Sequence, residues 1–339
     1  MKRVAINGMG RIGRLMFREL VDSDTVELAA VNEVESLETT AYLLSHDGEH
    51  APWPKSVAFV GEKDGEGALV YGNREISAYR RADAQDLPWS ELGIDLVVEC
   101  TGACTSSARA KIHLATGAKR VLISAAAGPD MPTVVFGINE GIITSEDLVV
   151  SGASCSTVGL TPLVKAVDAF ASIERGISTT IHGLTATQMV LANPQRKGNL
   201  RRSRTAMTNI IPTTAAAAQA VGLVLPKMSG KLTGSAIRVP IVHGSLITLH
   251  AVVTGEGFTA ADLNAAVKGC SDEMFGYTEE EVVSEDVANT AMESVFDATQ
   301  TKVCPLEGGK SLIEVAAWFD NETSYVGHFA KLALLMCEQ

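Results

Sequence analysis

The chain has 339 residues, 46% of them hydrophobic and 20% charged, with a formal net charge of −12. That length predicts two globular domains, and the composition excludes a disordered protein. The acidic balance argues against a general nucleic-acid binder, which gains affinity by releasing counterions, and no apolar run reaches the roughly 18 residues of a membrane span.

The opening residues, MKRVAINGMG, enter a motif at once, which leaves no room for a signal peptide and points to the cytoplasm. Residues 2–7 predict a short apolar strand. Gly8-Met9-Gly10-Arg11-Ile12-Gly13 follows and opens an amphipathic helix running to Val21. Glu27 to Val31 predicts a second strand, ending in Asn32-Glu33, so the order is strand, helix, strand. In that setting the glycines form a dinucleotide fingerprint. Gly8 allows the tight turn, Gly10 lets the backbone approach a pyrophosphate, and Gly13 lets helix and strand pack closely. The free N–H groups of the helix start then face the phosphates. Glu33 stands about 20 positions on, where a carboxylate bonds the adenosine ribose and repels a 2′-phosphate. NAD is therefore expected over NADP.

Further strand candidates are Asp95–Cys100, Arg120–Ser124 and Thr133–Gly137, and their alternation with helices predicts a doubly wound parallel sheet. After about residue 150 the pattern changes. Ser178–His182, Ser235–Val239, Leu246–Val253 and Ser311–Trp318 have strand character, several with alternation, which predicts a mixed or antiparallel sheet carrying helices. Residues 192–206 form a polar, breaker-rich loop, and a long loop in a compact domain is usually functional. Six scattered cysteines suit free thiols rather than a disulfide framework. Cys100 and Cys104 lack a second pair or a nearby histidine, so no metal is expected there.

Residues 151–160 read SGASCSTVGL and lead into an apolar helical pattern. Cys155 would stand at that helix start, where the dipole favours thiolate. A thiolate attacks an aldehyde to give a hemithioacetal, and oxidation leaves a thioester. The alternative is a buried inert cysteine, and the local sequence leaves both open. His182, closing the strand candidate Ser178–His182, is a candidate base, with His243 and His250 as rivals that local chemistry does not separate.

Taken together, INGMGRIGR at 6–14, ASCST at 153–157, IHGLTATQ at 181–188, RRSRTAMTNIIPTT at 201–214, LTGSAIRVP at 232–240 and WFDNETSY at 318–325 resemble one family, in order and over essentially the whole chain. It is that of the phosphorylating glyceraldehyde-3-phosphate dehydrogenases and their erythrose-4-phosphate dehydrogenase relatives. The resemblance implies an α/β fold. A Rossmann-type doubly wound sheet would occupy 1–154 and 319–339, and an α+β catalytic domain with a mixed sheet would occupy 155–318. It implies Cys155 as nucleophile and His182 as base. Ser154, Ser156, Thr185, Arg202 and Arg238 match the substrate and phosphate side. Gly8, Gly10, Arg11, Ile12, Gly13, Asn32, Glu33, Thr101 and Ser124 match the NAD cleft, with Asn321 orienting the nicotinamide amide and Tyr325 near its ring. A hydroxyl and a planar guanidinium, as in Thr185 and Arg238, suit a phosphate dianion. The implied partner is a small phosphorylated aldehyde, and the implied assembly a homotetramer in which the loop around 185–206 reaches a neighbour's cofactor.

Several positions depart from the family pattern. Val158-Gly159 replaces Asn-Cys, Thr187-Gln188 replaces Asp-Gln, and Ala215-Ala216 replaces the Thr-Gly that helps bind attacking phosphate. Asn32-Glu33 replaces Asn-Asp, and the segment after Arg238 reads Ile241-Val242-His243-Gly244-Ser245. An active enzyme is expected. The other readings are a relative acting on a different phospho- or phosphono-aldehyde, with hydrolytic release of acid as one form of it, and a paralogue that senses oxidants through Cys155.

Overall fold

The computed structural model describes residues 1–50, 53–195 and 199–339, so positions 196–198 of the predicted loop lie outside the described residues. The chain divides into two compact units, Met1–Ala153 with Val326–Gln339, and Ser154–Tyr325.

The first unit opens with β1 (Lys2–Asn7), α1 (Arg11–Leu20), β2 (Val26–Asn32) and α2 (Leu37–Ser45). A three-strand meander follows, β3 (Val57–Lys63), β4 (Glu66–Tyr71) and β5 (Arg74–Tyr79), then β6 (Leu96–Glu99), α3 (Ser107–Ala115), β7 (Arg120–Ile123) and β8 (Val149–Ser151). Among the described residues these strands form one 8-stranded sheet in the order β3-β4-β5-β2-β1-β6-β7-β8. β1 pairs in parallel with β2 on one side and β6 on the other. The chain therefore winds away from β1 in both directions, which opens a crevice at the carboxyl ends of β1, β2 and β6. The central strands are apolar almost throughout because both faces are covered; Val4, Ile6, Val97, Val98 and Val121 are buried.

The expected strand at Thr133–Gly137 is a correction. Thr133 forms only an isolated bridge to Ser151. The Asn139 side chain takes the Val135 amide and the Thr133 carbonyl, so those backbone groups close a turn instead of a ladder.

The second unit contains α4 (Cys155–Phe170), β9 (Ile173–His182), β10 (Ile211–Thr214), α5 (Ala217–Val224), β11 (Leu232–Arg238), β12 (Ser245–Thr254), α6 (Ala260–Lys268), β13 (Phe275–Thr278), β14 (Ser294–Leu306) and β15 (Lys310–Phe319). Among the described residues its strands form one 7-stranded sheet in the order β10-β11-β9-β12-β15-β14-β13. β9–β11 and β13–β14 are parallel and the other pairs antiparallel. β12 shows why one face is covered: Ile247, Leu249, Ala251 and Val253 alternate with less buried residues and join Leu160, Leu163 and Val167 of α4 in one core.

The last helix, α7, spans Thr323–Glu338. The family resemblance implies a return to the first unit at 319, whereas in the structure Val326–Gln339 groups with that unit. The reason is local bonding. The Asp320 carboxylate accepts from the Asn289 amide and Asn321 accepts from Ser245, which keeps 320–321 with the second unit. Beyond Val326 the helix is fixed within the first unit, where the Phe329 ring lies so close to Gly152 that a Cβ there would come within 2.4 Å of it.

Candidate active site

In the first unit the glycine motif forms as its spacing predicts. Gly8 has φ +95°, and a Cβ there would lie 2.8 Å from the Thr101 nitrogen. A Cβ on Gly13 would lie 1.9 Å from the Gly8 carbonyl, so helix and turn meet backbone to backbone. Around Gly10, by contrast, nothing lies within 4 Å of such an atom, which leaves an open approach to the chain. Gly10 is the N-cap of α1 and gives no side-chain cap. The amides of a helix's first turn point out of the helix start, as an anion site requires.

These residues border a cavity of about 1020 Å³, lined among others by Asn7, Gly8, Gly10, Asn32, Glu33 and Thr101. That is room for a dinucleotide. The Glu33 carboxylate accepts from the Met9 amide at 2.7 Å and the Val34 amide at 2.6 Å, hooking the glycine turn to the end of β2. A carboxylate has about four acceptor sites, so two bonds leave capacity toward the cavity. Ser124 stands one strand away, its amide donating to the Glu99 carbonyl and its side chain bonded to the Cys100 thiol.

The sequence reading missed what supports this floor. Glu99, 1% exposed, ends β6 and accepts from four donors. One oxygen takes the Thr101 amide and hydroxyl; the other takes Asn7 Nδ2 at 2.6 Å and His113 Nε2 at 3.0 Å. Trp89 Nε1 donates to His113 Nδ1 at 3.0 Å, so the ring hydrogen belongs on Nε2, pointing at Glu99. Asn7 in turn accepts from Asn32. The available signal was a carboxylate closing the apolar run Asp95–Cys100, because a buried charge requires partners.

In the second unit Cys155 is the first residue of α4, with the Ser154 side chain capping the helix by accepting from the Thr157 amide. The thiol lies 3.5 Å from His182 Nε2, at the end of β9. Of the three candidate histidines His182 is the one brought to the sulfur; His243 faces Asp320 at 3.5 Å and His250 faces Glu314 at 3.3 Å. Burial pushes the Cys155 thiol up, against the Arg238 guanidinium and the Ser156 hydrogen bonds, which lower it, while Glu322 adds to the rise. The expected depression by the helix start therefore does not win in the free protein, because desolvation is the larger effect.

Parallel pairing of β11 with β9 sets Arg238 beside His182. The Arg238 Nη1 atom is 2.6 Å from His182 Nδ1 and 2.7 Å from the Gly183 carbonyl, which lies 2.8 Å from the same Nδ1. A second polar group gathers around Arg202, whose guanidinium donates to the Thr187 and Thr213 hydroxyls at 2.9 and 3.1 Å. Thr185 joins it through Thr187 at 3.0 Å and through Gln188. Ala215 is half-buried and Ala216, the N-cap of α5, is exposed, with no side chain capping the helix. Asn321 is buried, its Oδ1 bonded to Ser245. Tyr325 is buried in the first turns of α7.

The substitution at Gly159 has a structural account. A Cβ there would lie 2.8 Å from the Phe319 ring, which packs edge-on to His182 with centroids 5.7 Å apart. A side chain at 159 would displace the ring that buttresses the imidazole.

Two family models match the chain. Residues 2–107 match the glyceraldehyde 3-phosphate dehydrogenase NAD binding domain, and residues 154–321 the C-terminal domain of the same family. The chain is 42% identical to a glyceraldehyde-3-phosphate dehydrogenase of Clostridium acetobutylicum over 98% of its own length and 100% of the relative's. It is 42% identical to that of Streptococcus pyogenes serotype M1 (98% and 99%) and 40% identical to that of Lactobacillus delbrueckii subsp. bulgaricus (98% and 98%). With an NAD-type cavity in the first unit, a cysteine–histidine pair in the second and matches along both, the chain belongs to the glyceraldehyde 3-phosphate dehydrogenase family of NAD-dependent oxidoreductases.

Proposed function

We propose that the chain oxidises glyceraldehyde 3-phosphate to an acyl group held as a thioester on Cys155, with His182 as base. The observation that carries this reading is the 3.5 Å approach of Cys155 Sγ to His182 Nε2 with Arg238 on the far side of the ring. NAD, when bound, accepts the hydride; Gly10, Arg11, Ile12, Asn32, Glu33 and Thr101 would hold it, with Asn321 and Tyr325 toward the nicotinamide.

The residues of the chain do the rest. His182 takes the Cys155 thiol proton; the thiolate attacks the aldehyde carbon, forming a C–S bond as the C=O π pair moves to oxygen, and the protonated His182 returns that proton to the oxygen, giving the hemithioacetal hydroxyl. His182 takes that hydroxyl's proton as the carbon is oxidised, which leaves the thioester. An acceptor oxygen then attacks the acyl carbon, the C–S bond breaks, and the thiolate returns. Arg238 and the group formed by Thr185, Thr187 and Arg202 supply guanidinium and hydroxyl donors for phosphate. Ser154 and Ser156 flank the nucleophile.

A second reading concerns the acceptor. Ala215-Ala216 offers no hydroxyl at the start of α5, which favours weak use of inorganic phosphate, with hydrolysis or another phospho- or phosphono-aldehyde as the companion change. Apolar Val190, Leu191, Leu200, Met207 and Ile210 stand exposed along the 189–210 segment, which supports assembly into a homotetramer. No helix among the described residues is long and apolar enough to cross a membrane. A cytoplasmic enzyme is proposed, because its charged substrate and NAD are retained there. NADH formation with a panel of phospho-aldehydes, with and without inorganic phosphate, tests the reading. No NADH with any of them would leave the thiol-sensing alternative standing.

A further inference from the structure

Ser245 takes no part in the chemistry above, yet it joins two residues that do. It is fully buried at the start of β12. Its Oγ accepts from the Gly183 amide at 3.1 Å and donates to Asn321 Oδ1 at 3.2 Å. A serine hydroxyl has one hydrogen. The Gly183 N–H uses an oxygen lone pair, which leaves that hydrogen free for Asn321. The oxygen end of the Asn321 amide faces Ser245 and the nitrogen end faces the other way. That Nδ2 is buried and has no hydrogen-bond partner among the described residues. A buried amide nitrogen without an acceptor is unfavourable, and a polar ligand atom relieves it.

We propose that Ser245 is a positioning residue for the nicotinamide. Its hydrogen bond fixes the Asn321 amide with Nδ2 turned away from Ser245, kept for a carbonyl acceptor such as the cofactor's carboxamide oxygen. The proposal rests on the assignment of Asn321 to the nicotinamide. Gly183 extends the link, because its carbonyl faces His182 Nδ1 and Arg238 while its amide holds Ser245. One residue thus ties the base to the cofactor's anchor. The position has no room for a side chain: a Cβ on Gly183 would lie 3.1 Å from Asn321 Oδ1 and 2.5 Å from the Val242 carbonyl.

The test compares calorimetric affinities for NAD and for ADP-ribose, which lacks the nicotinamide, in Ser245→Ala, Ser245→Thr and Asn321→Ala. Ser245→Ala should weaken NAD about tenfold, the effect of one lost hydrogen bond, and leave ADP-ribose within about twofold. Ser245→Thr keeps the hydroxyl and should restore most of the loss. Adding Ser245→Ala to Asn321→Ala should weaken NAD no further, since the two act as one. Equal weakening of NAD and ADP-ribose would mean a general loss of structure and would overturn the proposal. A selective effect of Asn321→Ala with no effect of Ser245→Ala would overturn it while sparing the Asn321 assignment. No effect of Asn321→Ala would remove that assignment and the proposal with it.

Discussion

The Arg238 guanidinium lies 2.6 Å from Nδ1 of His182, on the opposite side of the ring from the Cys155 sulfur. Nδ1 either donates to the Gly183 carbonyl or accepts from Arg238; it cannot do both. Donating to Gly183 leaves the Nε2 lone pair facing sulfur, free to take the thiol proton, as the role of base requires. Arginine is the largest influence lowering the Cys155 thiol, against the burial that raises it.

The alkylation rate of Cys155 by iodoacetamide should therefore depend on Arg238. Because burial holds the thiol above its ordinary value, the wild-type rate should still be rising where a free cysteine has levelled off. Arg238→Ala removes the main opposing charge, so the midpoint should move to higher pH. The rate at neutral pH should fall about tenfold for each pH unit that the midpoint climbs. Arg238→Lys should fall between the two. A midpoint that stays in place would show that the guanidinium does not act on the sulfur.

Cys155→Ser should reduce aldehyde oxidation to below about a tenth of wild type while NAD binding persists, since a hydroxyl is a far poorer nucleophile near neutral pH. The glycine turn and cavity belong to the first unit and do not include this residue. NADH release followed by absorbance, beside NAD calorimetry, reads both. Substantial residual oxidation would remove Cys155 from the chemistry.

Glu33→Ala should narrow the preference for NAD over NADP by removing a negative charge that meets the 2′-phosphate. It should also weaken NAD itself, because the carboxylate holds the Met9 amide of the glycine turn. A loss of about 1.5–3 kcal/mol corresponds to one hydrogen bond to a charged group. Equal use of NAD and NADP by the unaltered protein would show that Glu33 does not face the ribose.

Ala215→Thr with Ala216→Gly should strengthen dependence on inorganic phosphate by roughly 10- to 150-fold, the range for a charge-assisted hydrogen bond regained. The apparent affinity for the aldehyde should change little. A burst of NADH without added phosphate would support a thioester that waits for its acceptor. Saturation of the unaltered protein by sub-millimolar phosphate would show that backbone amides and Arg202 suffice.

Glu99→Ala should destabilise the first unit by at least about 3 kcal/mol, since it orphans buried donors on Asn7, His113 and Thr101 at roughly 1–3 kcal/mol each. Urea unfolding followed through Trp89 fluorescence measures it. A change below about 1 kcal/mol would mean that water replaces the carboxylate.

The first unit was legible where one strand carries its own pattern. Gly8, Gly10 and Gly13 declare their roles through spacing, and the parallel strands through unbroken apolar runs. The β3–β5 meander was not read, because its strands carry exposed charges and take their register from tertiary pairing. The Cys155–His182 pair was legible only through the whole motif set. The two residues are 27 apart, and no local feature separates His182 from His243 or His250. Ser245 and Gly183 escaped because nothing in a serine or a glycine announces a bond across 62 positions.

The last helix gives the order of synthesis a physical consequence. Phe329 fills the space over Gly152, and Arg120 donates to the Met336 carbonyl at 2.8 Å, so the first unit takes core side chains and a partner for a buried guanidinium from the end of the chain. During translation, domains tend to fold in the order in which they emerge. Here the amino-terminal unit cannot close until Val326–Gln339 has been made, whereas Ser154–Tyr325 is one continuous stretch. A fragment that ends just short of Val326 would hold the whole of the second unit and an unclosed first one, whose uncovered apolar surface is the part exposed to chaperones.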